Sequence, residues 1–142
     1  MEENKNALDE ISKGTTMGMD ATKDIIEKIE EKDFKKLVKD QYKEYEKIKK
    51  EIDNIYKEYS ESNPHETNVM TKVMTWSSIN MKTMTNTSTS KIAEILLQGT
   101  NMGIIEGRKI LNNKNIDKKI AKIIEEYVDM QEKYVEKLKK YL

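Results

Sequence analysis

Histidine, cysteine and paired carboxylates are the side chains with which a helical protein most often binds a metal or moves a proton. This chain of 142 residues has no cysteine and one histidine, His65. Di-iron sites in helical bundles take a Glu-x-x-His motif from each of two helices and a glutamate from each of the other two. Three residues before His65 stands Ser62, so the motif is absent. The sequence therefore predicts no histidine-based metal site and no catalytic residue.

A metal site in a helical bundle could also be built from carboxylate ligands alone. Glu27 and Glu30, and also Glu58 and Glu61, have the three-residue spacing that places two acids on one helix face. Both pairs fall outside the apolar seams of their helices, where acids usually pair with neighbouring lysines. Glu106 flanks an apolar stripe and is the one acid expected near its interior. We expect no bound metal and no cofactor.

Methionines offer a second kind of metal chemistry. Four of the nine methionines share one face of a predicted helix: Met70, Met74, Met81 and Met84. Thioethers are soft ligands that suit copper(I), and this face is a candidate copper site. Methionine is also an adaptable packing residue, and packing in the groove of a bundle is the favoured interpretation. Any part of this methionine face that the bundle leaves uncovered would predict a homo-oligomer, such as a symmetric dimer, or a protein partner.

Two similar glycine motifs lie 85 residues apart, Gly14-Thr-Thr-Met-Gly18 and Gly99-Thr-Asn-Met-Gly103. Glycine weakens a helix by about 1 kcal/mol relative to alanine, so close packing must offset that cost. We interpret the glycines as making room for Tyr45 and Tyr127 of facing helices. Neutral polar residues then meet at mid-bundle level, and the predicted layer is Thr15, Gly18, Gln41, Tyr45, Thr100, Gly103, Glu106, Tyr127 and Gln131. A small-molecule pocket at this layer is the functional alternative.

Apolar periodicity predicts the elements that must position this layer. Five helices are expected in a single domain, at about residues 5–31, 33–59, 64–84, 91–113 and 117–141. The first two form one antiparallel hairpin and the last two a second hairpin on the same plan, joined by 64–84 as a crossover. Asp33 and Ser90 are the expected N-caps of their helices. The crossover is long enough to connect opposite ends of the bundle, so the helices on either side of it should run parallel.

Two stretches, "MTKVMTWSSINMKTMT" and "SKIAEILLQGTNMGIIEGRKIL", carry a resemblance to a known family. Together with the two hairpins, they make the chain similar to the ferritin-like superfamily, and to small ferritin-like proteins of anaerobic Gram-positive bacteria in particular. The resemblance implies an all-α, ferritin-like four-helix bundle with an additional crossover helix. It implies no activity for this chain, because the di-iron ligands of the superfamily are missing.

Charge and hydropathy limit the classes of partner. Lys+Arg and Asp+Glu both number 26, and Arg108 is the single arginine, so a nucleic-acid surface is not expected. The polar amino terminus and the lack of a long apolar run predict a cytoplasmic protein without a membrane span. The favoured function is a non-enzymatic structural or protein-interaction module. The alternative is a protein that binds a metal or small molecule through the polar layer or the methionine face.

Overall fold

The computed structural model describes residues 2–59, 86–113 and 115–142. Within these ranges the chain forms four helices and no strand: α1 (Glu2–Ile26), α2 (Lys32–Tyr59), α3 (Thr89–Leu111) and α4 (Lys118–Lys139). The predicted all-α class is therefore confirmed for the described residues. The predicted crossover helix at 64–84, with its four-methionine face, lies outside them, and so does His65. None of the described helices combines the length and the apolar character that crossing a membrane requires.

Each helix buries one apolar stripe, which is the reason these segments fold as helices against one another. On α2 the buried positions recur every three or four residues and are Phe34, Val38, Gln41, Tyr45, Ile48, Ile52, Ile55 and Tyr56. Steps of three and four residues along the sequence predict the same positions except at the end of the helix, where they predict Tyr59 in place of Tyr56; Tyr56 is buried and Tyr59 is only half-buried. On α4 the same steps predict a seam of Ile120, Ile124, Tyr127, Gln131, Tyr134, Leu138 and Tyr141. This prediction misses Ile123, Val128 and Met130, which are also buried.

The helix starts differ from the predicted N-caps. The Glu31 carboxylate accepts hydrogen bonds from the backbone N–H groups of Phe34 at 2.7 Å and Asp33 at 3.1 Å, and α2 begins one residue before Asp33. A glutamate just before the helix therefore satisfies free N–H groups of the first turn. At the start of α3 the cap is Ser88, whose hydroxyl accepts from the Lys91 N–H at 3.3 Å, and the prediction of Ser90 is wrong.

The helices pack as two antiparallel hairpins, α1 with α2 and α3 with α4, with α1 also beside α3 and α2 beside α4. One end of the bundle holds a cluster of Ile25, Phe34, Ile92 and Leu138, from the end of α1, the starts of α2 and α3, and the end of α4. The helix starts and ends in this cluster show that α2 and α3 run in the same direction. The larger cluster fills the middle and the other end of the bundle.

Candidate functional site

The glycines of α1 and α3 lie directly against polar side chains from α2 and α4. A Cβ atom added to Gly18 would collide with the ring of Tyr45. A Cβ added to Gly14 would lie 2.8 Å from the Tyr127 hydroxyl oxygen, and one at Gly103 would lie 2.7 Å from the same oxygen. These distances are shorter than real Cβ contacts. The interpretation that the glycines make room for the two tyrosines is thereby confirmed for Gly14, Gly18 and Gly103, whereas Gly99 shows no such contact among the described residues.

A cavity of about 350 Å³ lies between α1 and α3, above a floor formed by α2 and α4. The wall from α1 includes Ile11, Gly14, Met17, Gly18, Ala21 and Thr22. The wall from α3 includes Leu96, Gly99, Thr100, Met102, Gly103 and Ile110. The floor consists of Gln41, Tyr45, Tyr127 and Gln131. The cavity therefore combines mostly apolar walls with a polar, uncharged floor.

Hydrogen bonds between different helices order part of this floor. The Tyr45 hydroxyl donates to Gln131 Oε1 at 2.5 Å and so joins α2 to α4. The Gln41 amide nitrogen donates to Thr100 Oγ1 at 3.1 Å and joins α2 to α3. The Thr100 hydroxyl in turn donates to the Leu96 carbonyl oxygen of its own helix at 2.7 Å. Three of the four floor side chains are thus held in place before any ligand binds.

One polar atom of the floor has no partner among the described residues. Gln41 is 1% exposed, yet its Oε1 atom accepts no hydrogen bond from them. An unpaired buried acceptor costs about 1–3 kcal/mol. Because Gln41 lines the cavity, a hydroxyl or N–H group of a molecule bound there would remove this cost.

Burial makes the floor unfavourable for charge. Desolvation raises the pKa of Tyr45 to about 12. Desolvation also raises the pKa of Tyr127, and the neighbouring Tyr45 adds to the shift. Both phenols are therefore neutral at physiological pH and can donate hydrogen bonds.

These pKa values predict alkaline destabilisation. In the unfolded chain tyrosine loses its proton near pH 10.0, whereas folded Tyr45 does so only near 12. Between these values the unfolded state binds fewer protons, so the free energy of unfolding should fall as pH rises, by about 1.4 kcal/mol per pH unit per group. Urea unfolding at a series of pH values measures the slope. In the Tyr45→Phe variant the slope should decrease by that amount, and an unchanged slope would contradict the assignment.

The predicted polar layer corresponds closely to the cavity. All of its residues line the cavity except Thr15, whose hydroxyl donates to the Ile11 carbonyl at 2.7 Å within α1. Glu106 is exposed at the outer edge, with Lys109 Nζ 3.8 Å from its carboxylate, and the expectation that it lies near the interior is wrong. Its position on α3 turns the side chain towards solvent, where it remains hydrated. The exposed Glu10 also lies at this edge.

Several lining residues were missed from the sequence, among them Gly14, Met17, Ala21, Leu96, Gly99 and Met102. Both glycines of each repeated motif line the cavity, so the motif itself indicates open space between the helices. The sequence predicts that a tyrosine fills this space, and the structure shows that the tyrosines leave part of it open. Volumes left between two helices depend on their separation, which a sequence pattern does not specify.

Within the ranges that the structure covers, no group of three or more His, Asp or Glu side chains is placed to hold a metal ion. Comparisons of the chain with protein-family models, curated proteins and solved structures find no match. The function is therefore inferred from the geometry and chemistry of the cavity.

Proposed function

We propose that the protein is a non-catalytic binding protein that holds a small, uncharged, mostly apolar molecule between α1 and α3. The observation that supports this most strongly is a cavity of about 350 Å³ bordered by a buried amide oxygen without a partner among the described residues. Ligand pockets are typically ~300–1,000 Å³, mostly apolar, with a few converging polar groups.

The charge distribution supports an uncharged ligand. The floor presents two amides and two phenols, and the charged residues of the lining are the exposed Glu10 and Glu106 and the partly buried Lys13, all on the walls. Moving an ion from water onto a neutral floor of this kind costs many kcal/mol where no opposite charge replaces the lost hydration. A neutral molecule with limited polarity meets no such cost and gains from contact with the apolar walls.

This proposal takes up the alternative function and not the favoured one. The expected protein interaction and dimer depend on the methionine face of 64–84, which lies outside the described residues, and the structural role depends on the absence of the di-iron ligands. Among the described residues the exposed large apolar side chains are Met102, Ile105 and Leu142. Met102 also lines the cavity, so its exposure has an explanation within the proposed binding function. Self-association stays a prediction.

We also propose that the bundle is a ferritin-like one that has lost its metal site. Two antiparallel hairpins with parallel α2 and α3 support this relationship. Ferritin-like proteins build their sites in the core of the bundle from facing helices. In this chain the core carries the neutral pairs Gln41 with Thr100 and Tyr45 with Gln131, which suit a neutral organic molecule better than a cation.

Binding of the uncharged dye N-phenylnaphthylamine tests the proposed function. The dye fluoresces more strongly in apolar surroundings, and we expect saturable binding to the purified protein. Gly99 lines the cavity and Gln98, its neighbour on α3, is exposed. Gly99→Phe should therefore weaken dye binding about tenfold or more by taking up cavity volume, whereas Gln98→Phe adds the same side chain outside and should leave it unchanged.

Two controls separate the cavity from other apolar surface. Ile105 is 52% exposed on α3 and does not line the cavity, so Ile105→Gln should bind the dye as the native protein does. Circular dichroism must show that Gly99→Phe remains helical. Equal loss of binding in the Gly99 and Gln98 variants, or loss only in Ile105→Gln, would show that the dye binds elsewhere and would overturn the proposal.

A further inference from the structure

The hydrogen bond between Tyr45 and Gln131 fixes how the floor residues are ordered along the bundle. These two residues lie at one level because their side chains are bonded, and α2 and α4 are antiparallel. Gln41 precedes Tyr45 by four residues, about 6 Å along α2. Tyr127 precedes Gln131 by four residues, about 6 Å along α4 in the opposite direction. Gln41 and Tyr127 therefore lie on opposite sides of the central pair, with about 12 Å between their backbone positions. Their side chains approach α3 at Thr100 and Gly103, which are three residues or about 4.5 Å apart.

The Gln41 end of the cavity offers a hydrogen-bond acceptor. The Gln41 amide nitrogen donates to Thr100 Oγ1, and the Thr100 hydroxyl donates to the Leu96 carbonyl oxygen. Thr100 therefore has no proton left to donate to Gln41 Oε1. This oxygen is buried and unpartnered among the described residues. A ligand group placed there must supply a proton, as a hydroxyl or an N–H does.

The other end offers donors. The Tyr127 hydroxyl and the Gln131 amide nitrogen are neighbours, since both lie against the Cα atom of Gly103. Gln131 Oε1 is occupied by the Tyr45 hydroxyl, so what Gln131 presents here is its NH₂ group. The Tyr127 phenol is neutral and adds an O–H. A ligand group at this end must accept, as a carbonyl or ether oxygen does.

We propose that the cavity selects an uncharged molecule with a hydrogen-bond donor at the Gln41 end and an acceptor at the Tyr127 end. A phenol or secondary amine opposite a ketone, ester or amide carbonyl fits this description. The inference rests on the proposed binding function and adds the chemical class and the orientation of the ligand.

Four ring compounds of similar size test the polarity of the cavity by isothermal calorimetry. Para-hydroxyacetophenone has the donor and the acceptor, para-methoxyacetophenone lacks the donor, para-ethylphenol lacks the acceptor, and para-hydroxybenzoate replaces the ketone by a charge. We expect para-hydroxyacetophenone to bind about three- to tenfold more tightly than either neutral compound that lacks one group, the usual value of one neutral hydrogen bond. Para-hydroxybenzoate should bind more weakly than para-hydroxyacetophenone, because its carboxylate would exchange water for the neutral Tyr127 hydroxyl and Gln131 amide, with the partly buried Lys13 of the wall as the one positive charge in the described lining.

Two variants test which end of the cavity produces the preference for the hydroxyl and which produces the preference for the ketone. Gln41→Leu should abolish the preference for the hydroxyl over the methoxy compound and leave the preference for the ketone over the ethyl compound. Tyr127→Phe should reduce the preference for the ketone over the ethyl compound, since the Gln131 NH₂ group remains as a donor, and should leave the preference for the hydroxyl. Tyr134→Phe is the matched control, since Tyr134 is a buried tyrosine of the same helix that does not line the cavity, and it should change neither preference.

The outcomes separate this inference from the function on which it rests. If N-phenylnaphthylamine binds in the cavity but the three neutral compounds bind alike, or both variants change the same preference, the ligand class is wrong and the binding function stands. Tighter binding of para-hydroxybenzoate than of para-hydroxyacetophenone would overturn the requirement for a neutral ligand. If neither the dye nor any of the four compounds binds, the proposed function and the inference fail together.

Discussion

Leucine at position 18 is expected to lower the free energy of unfolding by about 1–2 kcal/mol, in spite of the better helix propensity of leucine. A Cβ atom on Gly18 would collide with the Tyr45 ring, which is buried and bonded to Gln131 and so has little freedom to move. Overpacking of this kind costs about 1–3 kcal/mol and occasionally more. Removing a helical glycine returns about 1 kcal/mol, so only a severe collision gives a large net loss. Urea unfolding measures the difference.

The chain offers a matched comparison for this prediction. At Gly14 an added Cβ meets the Tyr127 hydroxyl at 2.8 Å and the adjoining ring carbon at 3.6 Å, a less severe contact than that at Gly18. Gly14→Ala should therefore cost less than Gly18→Ala. In a Tyr45→Ala background, where the ring is absent, Gly18→Leu should cost little or nothing, although Tyr45→Ala is itself destabilising. If Gly18→Leu is as stable as the native protein, or costs as much with Tyr45→Ala as without it, the contact with the Tyr45 ring is not the reason for a glycine at position 18.

The helical seams could be predicted because burial repeats with the period of the helix. Leu8, Ile11 and Ile25 on α1 illustrate this, and each is at most 1% exposed. The last turn of α2 shows the limit of the method. Ile52, Ile55 and Tyr56 are all buried there, whereas a seam followed in steps of three and four residues passes from Ile55 to Tyr59. Which of two adjacent positions is buried depends on the neighbouring helix and not on the pattern.

Helix starts were harder to predict because several residues could serve as caps. The stretch "TNTSTS" contains six small polar residues, and Ser88 and Ser90 have the same side chain. The choice between them is made by where α3 packs against its neighbours, a tertiary effect. For α2 the sequence predicts Asp33 as the N-cap. In the structure the longer Glu31 side chain, which lies just before the helix, accepts hydrogen bonds from N–H groups of the first turn.

The polar floor could be predicted but its hydrogen bonds could not. Gln41, Tyr45, Tyr127 and Gln131 stand at seam positions, so their burial followed from periodicity. The sequence does not specify which amide pairs with which hydroxyl, because the helices can slide by one turn relative to each other without moving these residues out of the core. That register decides that Tyr45 bonds Gln131 and that Gln41 Oε1 is left without a described partner.

The two glutamines of the floor should respond in opposite ways to leucine. Gln131→Leu removes the acceptor of the Tyr45 hydroxyl and leaves a buried donor unpaired, so we expect a loss of about 1–3 kcal/mol in the free energy of unfolding. Gln41→Leu removes an acceptor that is already unpaired, together with one bond to Thr100, whose own hydroxyl still donates to Leu96. We expect that variant to be as stable as the native protein or more stable by up to about 1 kcal/mol.

A double variant distinguishes hydrogen bonding from packing as the cause. Tyr45→Phe combined with Gln131→Leu removes both partners, and such a replacement is often nearly neutral. Its stability in urea should therefore exceed that of Gln131→Leu alone. Equal destabilisation by Gln41→Leu and Gln131→Leu would mean that both amides act as packing groups. A Gln41→Leu protein that is fully stable but has lost its preference for the hydroxyl of para-hydroxyacetophenone would show that Gln41 is kept for binding, at a cost to the fold.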